Sequence, residues 1–139
     1  MEDLSKLDEI TQDAEQGANC RIFHPVSDEP LQGVVFRVVG RDSPTFRKAQ
    51  RAQQTRRLKS RLTSLTPDLL EDEGCRLLAR CTIGFPDGTI LMDGEELPFS
   101  QDNAYRIYKR FPFIREQVDI FINDLTNFTK GLPETSSRP

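Results

Sequence analysis

Apolar residues recur at three- and four-residue spacing most regularly near the end of the chain. Ile114, Val118, Phe121, Ile122, Leu125 and Phe128 form one stripe, with Arg115, Glu116, Asp119, Asn123 and Asp124 facing away. This is the period of an amphipathic helix, predicted over residues 112–129, opened by Pro112 and closed by Gly131 and Pro133. Just before it, Ala104, Ile107, Tyr108 and Phe111 sit at i, i+3, i+4 and i+7 behind the capping Ser100. They predict a second helix that Pro112 breaks or restarts, because proline lacks the N–H an interior turn needs.

Further upstream the same signals weaken. Thr66-Pro67 is a cap followed by a proline, and Leu70, Leu77, Leu78 and Cys81 then share one helix face. Gly74 falls on that face, where it predicts a close backbone approach. Ser43-Pro44 repeats the start signal and predicts a helix over residues 44–62. Only Phe46, Ala49 and Ala52 give it an apolar stripe, so it is either solvated or a docking surface. Residues 3–16 predict a short helix on Leu4, Leu7 and Ile10, ended by Gly17, frayed or dependent on a partner.

Period-two patterning occurs early. Residues 19–24 carry Cys20, Ile22 and Phe23, and residues 33–39 are dense in β-branched valines. The breaker-rich stretch 25–30 between them predicts a β-hairpin with a long loop, and at Gly40 the chain must change direction. Residues 84–99 predict irregular or weakly extended chain with turns at Pro86-Asp87-Gly88 and Asp93-Gly94 around a short apolar piece, 89–92. The predicted fold class is therefore α+β: an N-terminal β-hairpin packed on a mostly helical bundle of about four helices. Residues 1–18 form an acidic N-terminal segment, 19–131 a single domain and 132–139 a disordered polar tail.

Charge changes this picture more than composition does. The chain of 139 residues has a formal net charge of −3, with 36% hydrophobic residues, nine Phe and no Trp. That near-neutral sum hides three blocks. Residues 1–30 hold eight acidic and two basic side chains, a balance of −6. Residues 41–61 hold eight basic side chains against Asp42, a balance of +7, and residues 62–102 hold nine acidic and two basic, a balance of −7. Such blocks attract each other or a partner. The basic block is the polar helix, with Arg47, Lys48, Arg51, Arg56, Arg57, Lys59 and Arg61. Phe46 is its one aromatic, so the charge lacks the stacking platform of a single-strand nucleic-acid binder. A protein-docking face fits better than a nucleic-acid surface.

The chemistry of catalysis finds little purchase. The sequence has no phosphate-cradling glycine loop, nucleophile elbow or His-Glu helix pair. His24 is the single histidine and sits in the hairpin loop. Cys20, His24, Cys75 and Cys81 are eligible zinc ligands, but the spacing between Cys75 and Cys81 is too long for a zinc knuckle, and three irregularly spaced cysteines make no disulfide framework. Asp87, Asp93, Glu95 and Glu96 lack the ligand order of a calcium loop. The expectation is a non-enzymatic protein with no catalytic residue, cofactor or metal. No window approaches the length of a membrane span, and residues 1–9 lack the features of a signal peptide, so a cytoplasmic location is expected.

Four stretches, in this order, carry a resemblance. They are Phe23-His24-Pro25-Val26 with Glu29-Pro30-Leu31; Gly40-Arg41-Asp42-Ser43-Pro44-Thr45-Phe46-Arg47-Lys48-Ala49-Gln50 with Arg56-Arg57-Leu58; Leu91-Met92-Asp93-Gly94-Glu95-Glu96-Leu97-Pro98-Phe99-Ser100; and Phe111-Pro112-Phe113-Ile114-Arg115-Glu116-Gln117-Val118 with Phe121-Ile122-Asn123-Asp124 and Asn127-Phe128. Together they span about residues 20–129 and resemble the tail assembly chaperones of long non-contractile-tailed bacteriophages. Members of that family often carry Trp where this chain has Phe85 or Phe113. The resemblance implies a non-enzymatic role in tail morphogenesis in the host cytoplasm, with the tape measure protein and the major tail tube protein as partners and homo-oligomers as a further form. A structural tail protein of the virion, a completion or connector protein, is the alternative, and a nucleic-acid-binding phage protein a lesser one. For such docking the sequence offers Arg47, Arg51, Arg56 and Arg57 as charged contacts, and Phe111 and Phe113 as apolar anchors beside Pro112.

Overall fold

The computed structural model describes residues 1–60 and 66–129. The predicted end of the basic helix, with Arg61 and Leu62, and the tail 132–139 lie outside the described residues. The chain runs through a 3-10 turn Leu4–Leu7, α1 Asp8–Gln16, β1 Ala18–Phe23, β2 Pro30–Val38, α2 Pro44–Ser60 and α3 Pro67–Arg80. It continues with β3 Thr82–Gly84, β4 Ile90–Met92, β5 Glu95–Leu97, α4 Gln101–Arg110, α5 Pro112–Asn123 and a final 3-10 turn Leu125–Asn127. The class is α+β, with five α-helices: α1 falls within the predicted segment 3–16, and α2–α5 are the helices of the predicted bundle.

The hairpin is the centre of the sheet. β1 and β2 pair antiparallel with Ala18 opposite Val38 and Cys20 opposite Phe36, and a bulge separates Arg21 from Phe23. β3 adds to the other side of β2, which makes β2 the central strand and β1 an edge. Phe36 and Val38 enter the core, where the Phe36 ring lies 5.2 Å from Tyr108 and 5.6 Å from Phe85. Tyr108 is fully buried, and its hydroxyl is paired with Thr82 Oγ1 at 2.7 Å, which also donates to Leu78 O. A buried hydroxyl without a partner would cost free energy; here β3, α3 and α4 share the bond. Ile107, Ile114, Val118 and Ile122 from α4 and α5 complete the core.

Residues 84–99 hold more strand than the sequence predicts. β4 and β5 form a two-residue hairpin, Met92 opposite Glu95, across Asp93 and Gly94. Both turn residues have positive φ, 55° and 79°, the geometry that matches the twist of paired strands.

The start of the chain also differs. Leu4 and Leu7 are exposed, and within α1 only Ala14 is buried. α1 is held instead by polar contacts: Glu15 accepts from Thr45 N at 3.0 Å and from Thr45 Oγ1 at 2.6 Å, at the start of α2. Gly40 N donates to Ala14 O, so the acidic segment is tied to the turn between sheet and helix. Gly17 ends α1 at φ 85°, ψ 174°, and a Cβ there would sit 2.7 Å from the Val38 carbonyl oxygen. That region is essentially restricted to glycine, and the clash is with backbone. Gly17→Ala should therefore cost about 2–3 kcal/mol, read as a lower urea midpoint at unchanged slope. An unchanged midpoint would show that no such constraint acts at Gly17.

In α3, Leu70 is exposed, and the buried positions are Cys75, Leu78 and Ala79. Gly74 makes no close approach: a Cβ there would meet nothing within 4 Å. α5 stops at Asn123, earlier than its apolar stripe, because Asp124 turns extended and caps the 3-10 turn through Thr126 N and Thr126 Oγ1. Phe128 nevertheless reaches the core beside Phe121, while Leu125 stays partly exposed. Among the described residues no helix is long and apolar enough to cross a membrane.

Candidate functional site

Pro112 builds the first surface. As the first residue of α5 it loses no hydrogen bond, and Phe111, extended at φ −120°, ψ 89°, links the two helices at an elbow. Phe111 N still closes α4 on Ile107 O, while Phe111 O receives Ile114 N and Arg115 N. The elbow thereby sets Phe111 and Phe113 side by side, half-buried, with ring centroids 6.0 Å apart. Opposite them stand Leu31 and Val34 of β2 and Ile90 and Met92 of β4, leaving an apolar groove of about 300 Å³. Leu91 projects beside it at 69% exposure. An ion pair between Arg110 and Asp93 crosses the rim, and the Arg110 guanidinium lies 5.3 Å from the Phe111 ring centroid. Arg110 holds the Asp93 carboxyl below its usual range.

The four arginines do not make one patch. Arg47 and Arg51 are one turn apart on the solvent side of α2. Arg56 follows Arg47 by nine residues, two and a half turns, which places it on the opposite side of the helix. There it lines a cleft of about 190 Å³ between α2, α3 and α4, with Arg76, Arg80, Gln101, Asp102 and Tyr105. Arg57 is engaged internally: its Nε donates to Glu73 Oε2 at 2.6 Å, and Gln53 Nε2 donates to Glu73 O at 3.0 Å. Arg57 therefore joins α2 to α3, an internal use that the charge blocks alone left open.

Two residues of the resembling stretches have contacts that periodicity does not reveal. Arg115, read from the sequence as facing away, turns inward. Its Nη1 donates to Glu71 Oε1 at 3.0 Å, Cys75 Sγ at 3.2 Å and Tyr108 O at 3.3 Å, tying α5 to α3 and α4. Gln117 accepts from Phe23 N at 2.9 Å and donates to Phe23 O at 2.8 Å, covering one rung of the β1 edge. Helical spacing places both beside the apolar stripe, but only the arrangement of the neighbouring elements supplies their partners.

The candidate metal ligands are dispersed in role. Cys20, Cys75 and Cys81 are buried in the core, and burial pushes the Cys20 and Cys81 thiols up to about 12. His24 Nδ1 accepts from Val26 N and Ser27 N, shaping the hairpin loop. Among the described residues, no three His, Cys, Asp or Glu side chains converge in a way that could hold a metal ion.

Among the described residues the geometry thus offers an apolar groove at the elbow and a cationic cleft, which share no lining residue, besides a further groove of about 300 Å³ between β1 and α5. No family model, curated protein or solved structure matches the chain.

Proposed function

We propose that the chain is a non-enzymatic tail assembly chaperone of a long-tailed bacteriophage, acting in the host cytoplasm on the tape measure and tail tube proteins during tail morphogenesis. The observation that carries this reading is the groove at the Pro112 elbow. One of the resembling stretches, Phe111 to Val118, supplies Phe111, Phe113 and Ile114 to the wall of an open apolar groove of about 300 Å³. Apolar anchors at i, i+3 and i+4 of a partner helix dock into grooves of this kind. The tape measure is a long helical rod in the resembling family, so it presents such anchors repeatedly.

Co-expression with a tape measure fragment and the tube protein tests the proposal. The expected result is co-purification with one of them, and absence of this chain from purified virions by mass spectrometry. Failure to co-purify together with normal tails after gene deletion would overturn it. Stoichiometric presence in the virion would overturn it in favour of a completion or connector protein.

A further inference from the structure

We propose that the cleft between α2, α3 and α4 is a carboxylate-binding site for an acidic segment of a protein partner. The inference rests on the docking reading above and names the chemistry of one contact. Three guanidinium groups from two helices, Arg56 of α2 and Arg76 and Arg80 of α3, line one concavity. Arg56 and Arg80 are exposed and make no ion pair among the described residues. Arg76 is held in place from behind: its Nε donates to Asp72 Oδ2 at 2.9 Å, and its guanidinium lies over the Tyr105 ring at 4.7 Å. Asp72 is itself fixed by the Tyr105 hydroxyl, with Lys109 Nζ at 3.6 Å.

The junction of α3 and α4 beside the cleft is fixed as well. Ser100 Oγ accepts from Asn103 N and caps α4, while Gln101 Nε2 reaches Arg80 O at 3.4 Å, joining the end of α3 to the start of α4. Gln101 and Asp102 of the first turn of α4 line the cleft beside the arginines. Arginine presents a planar fork that matches a carboxylate with two parallel hydrogen bonds.

Carboxylates fit this site better than a phosphodiester chain. The cleft, about 190 Å³, has room for one or two side chains. The Tyr105 ring, which could have stacked on a base, already has Arg76 over one face, and Phe46 of α2 is buried. Asp102 lines the cleft, so an extended polyanion would meet repulsion where discrete carboxylates can avoid it.

The test uses the full chain and a fluorescein-labelled amphipathic peptide with Glu at i, i+4 positions, read by fluorescence polarisation at low salt. Saturable binding that weakens with salt is expected. Arg56→Gln/Arg80→Gln should weaken it about ten-fold. Lys6→Gln/Arg21→Gln removes the same charge away from the cleft and should leave it within about two-fold. Equal weakening by both pairs would reduce the effect to net charge and overturn the site. The same peptide with Gln for Glu is a second measurement that needs no variant: equal binding of the two peptides would overturn the inference. So would tighter binding of single- or double-stranded DNA. Loss of peptide binding with co-purification intact would reject this site alone, and the converse would reject the chaperone reading alone.

Discussion

Phe36→Ala should destabilise the protein by about 3–5 kcal/mol and lower its melting temperature by about 10–20 °C. Phe36 is fully buried on the central strand, between the Phe85 and Tyr108 rings. Removing it leaves a cavity bounded by β1, β3 and α4, whose positions are fixed by strand pairing and by the Tyr108–Thr82 bond. Those elements cannot collapse into the space without breaking register, so the cost belongs near the upper part of the range. Phe99 supplies the comparison. It contacts Phe85 edge-on at 5.2 Å but is 39% exposed, so Phe99→Ala should cost about 1 kcal/mol or less. Denaturant titration of both variants measures the difference. A loss below about 1 kcal/mol at Phe36 would show that the core is not organised around the central strand.

The contrast between those two phenylalanines shows how far the sequence can be read. Local chemistry was legible wherever one residue type has one physical use. Ser43, Thr66 and Ser100 cap helices as their position before α2, α3 and α4 predicts. Gly17 ends a helix, and Asp93-Gly94 is a turn. The α+β class and the β1–β2 hairpin were legible from the change of period. What the sequence concealed depends on neighbours brought together by the fold. Nine phenylalanines clustered late suggest a C-terminal helical core, yet Phe36 and Phe46 share the core with Phe85 and Phe128. β5 reads Glu95-Glu96-Leu97, with no apolar alternation to betray a strand, and it exists because the turn pairs it with β4. Arg115 reads as facing away by spacing and Gln117 carries no signal of its own, but α3 and β1 offer them partners.

The same distinction applies to the candidate docking residues. Charge blocks located a basic helix but could not say which arginines face outward together, because that depends on how α2 rolls against α3. Arg57 meets Glu73, Arg56 faces the cleft, and Arg47 with Arg51 faces solvent. The resembling stretch from Gly40 to Pro44 has a structural use of its own. Gly40 lies where a Cβ would come within 3.1 Å of both Ala14 and Phe128, and Arg41 N and Nη1 reach Ile122 O and Asn123 Oδ1. The turn thus joins α1, the sheet and the end of α5, and sets where α2 begins.

Leu91→Asp should abolish co-purification with the partner held by the apolar groove, an affinity loss of about 100-fold, while leaving the fold intact. Leu91 lines the groove from β4 and is 69% exposed, so its replacement removes little buried area. A carboxylate there would stand in the groove that Phe113 and the existing Asp93 also line, where a docking apolar side chain must shed water. Burying an unpaired charge beside an apolar anchor is costly, and contacts at the centre of an interface can each be worth 2 kcal/mol or more, about 30-fold. Phe113→Ala should weaken the same interaction while leaving an uncharged groove, and its smaller effect would separate lost contact from added charge. The unchanged melting temperature of Leu91→Asp, together with loss of the partner, is the expected pair of results. Retention of the partner by Leu91→Asp would remove the groove from the docking surface. The interaction would then fall to a surface that shares no residue with the groove, of which the cationic cleft is one.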